Sequence, residues 1–174
     1  MTVTFKGQPV TLVGPDLKLG DKAPDFTLVS ADMKPVTLDD AVDGGKKHAL
    51  MIVVPSLDTS VCSIESAKFN ARIGELPPDI AANVVSRDLP FAMARWAKEQ
   101  GDVKLTMLSD YREGDFGPAY GVLIKELGLL ARTVFIIGKD KTIKYKQVVP
   151  EVTQEPDYDD VIAAASRVSS AVNA

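Results

Sequence analysis

Cys62, the only cysteine of the chain, closes the run Pro55-Ser56-Leu57-Asp58-Thr59-Ser60-Val61-Cys62, which follows an apolar segment and precedes a helical pattern. If Asp58 or Thr59 caps that helix, Cys62 falls in its first turn, where free backbone N–H groups and the positive end of the dipole stabilise an anion. A thiolate is an anion and is the nucleophilic form of cysteine, so the placement favours a reactive sulfur. The competing reading is a small inert hydrophobe, because free cysteine is among the most buried residue types. Thr59 lies three residues earlier with a hydroxyl able to donate to sulfur. The only histidine, His48, precedes the apolar segment and so lies at the end remote from Cys62. A cysteine–histidine dyad is therefore disfavoured and a solvated or capping histidine is expected. One cysteine and one histidine form no metal-ligating cluster, so neither a metal nor another cofactor is expected. The absence of Cys-x-x-Cys disfavours a disulfide oxidoreductase.

The elements that must position Cys62 follow from hydrophobic period and punctuation. Residues 49–54 form an unbroken apolar run, as in a strand buried on both faces, and Pro55 ends it by withholding a ladder donor. In an open α/β sheet the carboxyl end of such a strand is where ligands bind. A helix is expected over 59–73, a strand at 83–86, and a helix over 90–100 marked by Asp88 and Pro90 and stopped by Gly101. Residues 104–108 read as a strand and 114–120 as a short helical stretch. Residues 133–137 and 142–146 form a hairpin about Gly138-Lys139-Asp140-Lys141. A closing helix spans 157–172, with Val161, Ala164, Ala165 and Val168 on one face and a charged start at Asp157-Tyr158-Asp159-Asp160. Upstream, residues 3–5 and 10–12 flank Lys6-Gly7-Gln8-Pro9 as an N-terminal β-hairpin, and 26–28 and 35–38 are short extended pieces. Phe91, Met93 and Trp96 read as packing residues of the 90–100 helix. Residues 1–174 are expected to form a single α/β domain.

Composition points to a globular protein, with 45% hydrophobic and 25% charged residues. A net charge of −4, with basic residues scattered in pairs such as Lys46-Lys47, argues against a nucleic-acid partner. No apolar run approaches the length of a membrane span, and the first six residues lack the pattern of a signal peptide, so a cytoplasmic location is expected.

Several motifs in order carry a family resemblance. Pro55-x-x-x-Thr59-x-x-Cys62 resembles the active-site signature of peroxiredoxins, and Asp21-Lys22-Ala23-Pro24-Asp25-Phe26 resembles their leading segment. Asp88-Leu89-Pro90-Phe91-Ala92, Asp115-Phe116-Gly117-Pro118-Ala119-Tyr120-Gly121, Gly128-Leu129-Leu130-Ala131-Arg132, Val149-Pro150-Glu151-Val152 and Glu155-Pro156-Asp157-Tyr158 together resemble the bacterial thiol peroxidases, an atypical two-cysteine branch. The resemblance implies a thioredoxin-like fold of peroxiredoxin type, a homodimer, a hydroperoxide substrate and thioredoxin as reductant. It also implies four site residues. Cys62 would attack the peroxide and become a sulfenic acid, and Thr59 would orient the substrate. Arg132 would stabilise the thiolate and the leaving oxygen, and Pro55 would shield the sulfur from water. By spacing alone Arg132 reads as an exposed strand-end arginine.

The pattern departs from the family at one position. The resolving cysteine should follow the Arg-aromatic pair Arg95-Trp96, and Ala97 stands there instead, either as a natural one-cysteine variant or as a designed replacement. The 83–86 strand also looks shorter than the family's second core strand. Cys62 is expected to reduce a first equivalent of peroxide, with poor thioredoxin-linked turnover unless a small thiol resolves the sulfenic acid. The alternative is a thioredoxin-fold redox sensor or binding module with one reactive cysteine.

Overall fold

The computed structural model describes residues 2–171. Its strands are β1 (Val3–Phe5), β2 (Gln8–Val10), β3 (Leu12–Val13), β4 (Thr27–Ser30), β5 (Pro35–Thr37), β6 (His48–Val53), β7 (Ile80–Ser86), β8 (Thr106–Ser109), β9 (Leu123–Ile124), β10 (Leu129–Leu130), β11 (Thr133–Ile137) and β12 (Ile143–Val148). The helices are α1 (Leu38–Ala41), α2 (Ser60–Ala71), α3 (Pro90–Gln100), α4 (Phe116–Ala119) and α5 (Tyr158–Ser170). Val172, the last residue of the expected closing helix, lies outside the described residues.

Seven strands form the central sheet in the order β12-β11-β6-β7-β8-β4-β5. The β6–β7 and β7–β8 pairs are parallel, and α2 and α3 are their crossovers. The remaining pairs of this sheet are antiparallel. The unbroken apolar run of β6 is explained by burial on both faces. Ala49, Met51 and Val53 join one apolar cluster, while Leu50, Ile52 and Val54 join the other. Each of these side chains except the small Ala49 contributes about 1.5–3 kcal/mol of burial. The second cluster lies under α2, α3 and α5 and holds Cys62, Phe69, Met93, Trp96, Val161, Ala164 and Ala165. The first is covered by the N-terminal strands, α1 and α4, and contains the packed rings of Phe26, Phe116, Tyr120 and Phe135.

The structure corrects several expectations. β7 begins at Ile80 and is seven residues long, because His48 N bonds Asp79 O and the ladder with β6 then runs from His48↔Ile80 onward. The N-terminal turn is Lys6-Gly7, so Gln8 and Pro9 are strand residues, Pro9 on a strand that among the described residues pairs with β1 alone. β9 and β10, which the sequence did not announce, pair with each other, and β9 also pairs with β3. Gly121 allows this corner to close: its φ is +66°, and a Cβ there would sit 1.9 Å from Pro15 O. Phe91 is 70% exposed instead of packed. His48 is buried, its Nδ1 accepting from Lys139 N at 3.2 Å, and burial holds its imidazole below its usual pKa.

Candidate active site

Cys62 is the third residue of α2, in a first turn closed by a side-chain cap. Thr59 is the N-cap, in extended conformation, and its Oγ1 accepts from Cys62 N at 3.4 Å. The Thr59 hydroxyl donates to Ser56 O at 2.8 Å, not to sulfur as the spacing suggested, and so tightens the turn that delivers the chain from β6 into α2. The ladder of β6 closes with Val54 N on Val85 O, and Pro55, which has no N–H, follows buried. Cys62 is fully buried in the second apolar cluster.

Arg132 reaches this sulfur because of sheet register. β11 runs antiparallel to β6 with Thr133 opposite Val53, so the residue before Thr133 stands over the carboxyl end of β6. Arg132 is 2% exposed, a correction to its reading from spacing alone. Its Nη2 donates to Cys62 Sγ at 3.2 Å and its Nε to Val152 O at 2.9 Å, while Nη1 pairs with Glu65 Oε2. Arg132 O in turn accepts from Val149 N at 3.1 Å. The Val149–Val152 segment thus clamps the arginine from both ends, which gives that motif a physical purpose.

Glu65 was not singled out by sequence reasoning. It lies one turn after Cys62 on the same face of α2 and is completely buried. Burial pushes its carboxyl up to about 7 against the pull of Arg132. Desolvation disfavours the charged form of Arg132 as well, but Glu65 and Cys62 together hold the guanidinium above its ordinary value. The available signal was the i, i+3 spacing, which places a carboxylate on the inward face of the helix, where only a buried cation can accompany it.

A second missed anchor is Asp88. It marks the start of α3 in sequence, yet α3 is capped by Leu89 without a side-chain bond. The Asp88 carboxylate instead accepts from Ser56 Oγ at 2.6 Å, Leu57 N at 2.8 Å and Ser86 Oγ at 2.7 Å, fixing the loop before α2 to the end of β7. The same loop is tied to α3 by the Asp58–Arg95 ion pair, and the first turn of α2 by Trp96 Nε1 donating to Ser63 Oγ at 2.9 Å. Ala97 comes next on α3, packed against the cluster that contains Cys62. Of the expected site residues, Cys62 and Arg132 are in direct contact, while Thr59 and Pro55 shape the turn around them.

This arrangement holds an anion-competent sulfur at a helix N-terminus beside a permanent cation, in surroundings closed to bulk water. That is a site suited to a nucleophilic attack in which negative charge passes from sulfur to a leaving oxygen.

Residues 18–162 match the family model described as Redoxin. The chain is 48% identical over 165 residues to a thiol peroxidase of Listeria innocua serovar 6a, covering 95% of this chain and 98% of that protein. It is 44% identical over 163 residues to a thiol peroxidase of Bacillus subtilis, covering 94% and 95% of the two. A crystal structure of a peroxiredoxin-like protein from Aquifex aeolicus superposes with a TM-score of 0.88 at 42% identity over 96% of each chain. A thiol peroxidase from Chromobacterium violaceum, at 20% identity and TM-score 0.83, shares the fold. The fold is the thioredoxin-like fold of peroxiredoxins.

Proposed function

The chain belongs to the Redoxin family and, within it, to the thiol peroxidases, and from that membership we propose that it reduces hydroperoxides with Cys62 as the peroxidatic thiolate. The observation that carries the reading is the contact between the single cysteine and the buried Arg132. The sulfur lone pair attacks the terminal oxygen of ROOH. An S–O bond forms, the O–O bond breaks, and the alkoxide leaves and takes up a proton, giving Cys62–SOH and ROH. Sulfur is oxidised by two electrons and the peroxide reduced by two. Arg132 supports the thiolate before the step and the departing oxygen during it. Pro55 and Thr59 are assigned to keep the sulfur dry and to hold the peroxide, Thr59 after its hydroxyl turns from Ser56 O.

Ala97 determines how the sulfenic acid is resolved. No second thiol exists in the chain, so Cys62–SOH is resolved from outside. A small thiol R′SH condenses to Cys62–S–SR′ with loss of water, and a second R′SH or thioredoxin releases the reduced protein. Because Cys62 is fully buried, a protein reductant reaches the sulfur only if the first turn of α2 opens. We further assign residues 1–174 to one functional domain working in the cytoplasm, where thiols are kept reduced.

The assembly we propose is a homodimer. Phe91 and Leu89, 70% and 51% exposed, line a groove with Arg87, Ala92, Arg95 and Asp58 beside the catalytic loop. A second copy covering that groove would bury both side chains. Sedimentation equilibrium should return twice the chain mass, and a strictly monomeric mass at micromolar concentration would refute the assignment.

The reading as a whole is tested by stopped-flow peroxide consumption with intact mass recorded after one equivalent of hydrogen peroxide. The expected outcome is consumption far faster than by a free thiol and a gain of about 16 Da, the mass of one oxygen, both absent in Cys62→Ser. With a small thiol present, consumption should continue beyond one equivalent per chain. A single stoichiometric event under those conditions would assign a redox sensor instead.

A further inference from the structure

Arg132 is one buried cation facing two acids. Its Nη2 donates to Cys62 Sγ at 3.2 Å, and its Nη1 pairs with Glu65 Oε2. All three side chains are almost completely buried. Among the described residues the second carboxyl oxygen, Glu65 Oε1, has no hydrogen-bond partner. A buried carboxylate oxygen without a protein donor is poorly stabilised, so the ionised group relies on the guanidinium. The other charged groups near the trio are Lys68 on α2 and Glu155 ahead of α5. These pair with each other at 2.7 Å, and Tyr158 OH also donates to Glu155 at 2.6 Å. That outer set is half exposed and self-compensating, and it supplies no second cation to the buried trio.

We propose that Glu65 is a positioning residue that competes with the Cys62 thiolate for Arg132, so that ionisation of the carboxyl draws the guanidinium from the sulfur and slows the attack on peroxide. With both acids ionised the trio would bury a net negative charge. The favoured states therefore keep one proton between the carboxyl and the thiol. Glu65 holds that proton when Cys62 is ionised. Once the sulfur becomes a neutral sulfenic acid, Arg132 is released to the carboxyl, which can then lose its proton. The brake engages when rising pH removes that last proton and the carboxylate takes Arg132 from the sulfur, and the burial-raised carboxyl places this step near neutrality. This inference rests on Cys62 being the peroxidatic nucleophile.

The test compares wild type with Glu65→Gln, which keeps a hydrogen-bond acceptor for Arg132 but cannot ionise. The ratio of their second-order rates with hydrogen peroxide is measured at about pH 6 and about pH 8, either side of the carboxyl step. The ratio is expected to stay near one at the lower pH and to rise to about 3–10-fold in favour of E65Q at the higher. A ratio that does not change with pH would overturn the proposal and leave Glu65 as a structural partner of Arg132. A second measurement, independent of activity, follows the Glu65 carboxyl carbon by NMR in the reduced wild type and in Cys62→Ala. Removal of the competing anion should make Glu65 ionise at lower pH, and an unchanged titration would likewise overturn the proposal. If wild type and E65Q both consume peroxide no faster than a free thiol, the peroxidase reading fails, and the NMR comparison still decides whether the two acids share the arginine.

Discussion

Replacing Arg132 with Met is expected to slow peroxide consumption by about 10²- to 10³-fold and to weaken the fold increasingly as pH rises. The kinetic loss follows from removing the only side chain that donates to Cys62 Sγ among the described residues. The loss of stability follows from Glu65, which keeps its carboxyl in an apolar interior after its cation has gone. Breaking a buried pair costs about 3–5 kcal/mol when the remaining charge persists, and less when the group neutralises instead. Glu65 can neutralise, because burial already raises its carboxyl above the ordinary 4.5, and loss of Arg132 raises it further. The sign is then fixed. A carboxyl whose folded value exceeds its unfolded one contributes stability that is whole below about 4.5 and is lost as pH rises through the folded value. Denaturant midpoints at acid and alkaline pH measure this directly. The double variant R132M/E65M should recover stability without recovering rate, which separates the electrostatic role of Arg132 in the reaction from its role in the fold. A wild-type rate in R132M would remove Arg132 from the site.

Introducing a cysteine at position 97 should convert a protein that depends on external thiols into one that turns over with thioredoxin. Ala97 packs on the face of α3 that meets the Cys62 cluster. A thiol there is tethered to the sulfenic acid at an effective concentration in the millimolar range or above, once α2 or α3 shifts enough to bring the sulfurs together. The substitution adds one sulfur to a half-buried site, so its cost to the fold is small. In Ala97→Cys, thioredoxin-coupled peroxide turnover should rise by about tenfold or more, and intact mass after one equivalent should show loss of two hydrogens in place of an added oxygen. The wild type should instead hold its sulfenic acid long enough for a second peroxide to drive it to sulfinic acid. An Ala97→Cys protein that forms no internal disulfide would mean that the ties between the catalytic loop and α3 hold the two helices apart. The Asp58–Arg95 pair and the Trp96–Ser63 bond are the first of those ties to loosen by mutation.

The legible features are those written into a few consecutive residues. The double-sided burial of β6 appears as an unbroken apolar run, and its end appears as Pro55. The start of α2 appears as Thr59, and α3 is bounded as expected by Pro90 and Gly101, the latter at φ +91°. The place of Cys62, the chain's one cysteine, in the first turn of a helix was legible from the residues just before it. The two-residue strands β9 and β10 were not, since so short a segment has no period to detect. The length of β7 was also hidden, because its first residues are set by pairing with β6 and not by their own pattern.

The charges of the site belong to a different level. Local sequence determined where Cys62 sits and which backbone groups surround it, because helix caps and strand ends are decided within a turn or two. Only the tertiary structure decided which cation serves the sulfur. Arg132 lies 70 residues from Cys62 in sequence, and it arrives through the register of β11 on β6 and the clamp of the Val149–Val152 segment. Asp88 changed meaning in the same way, from a helix start to an anchor of the loop before α2, and Glu65, which the sequence did not mark, proved to be a buried partner of Arg132. The energy of a buried charge depends on its solvent exclusion and on partners brought from distant segments, and neither is a property of the residue's neighbours along the chain.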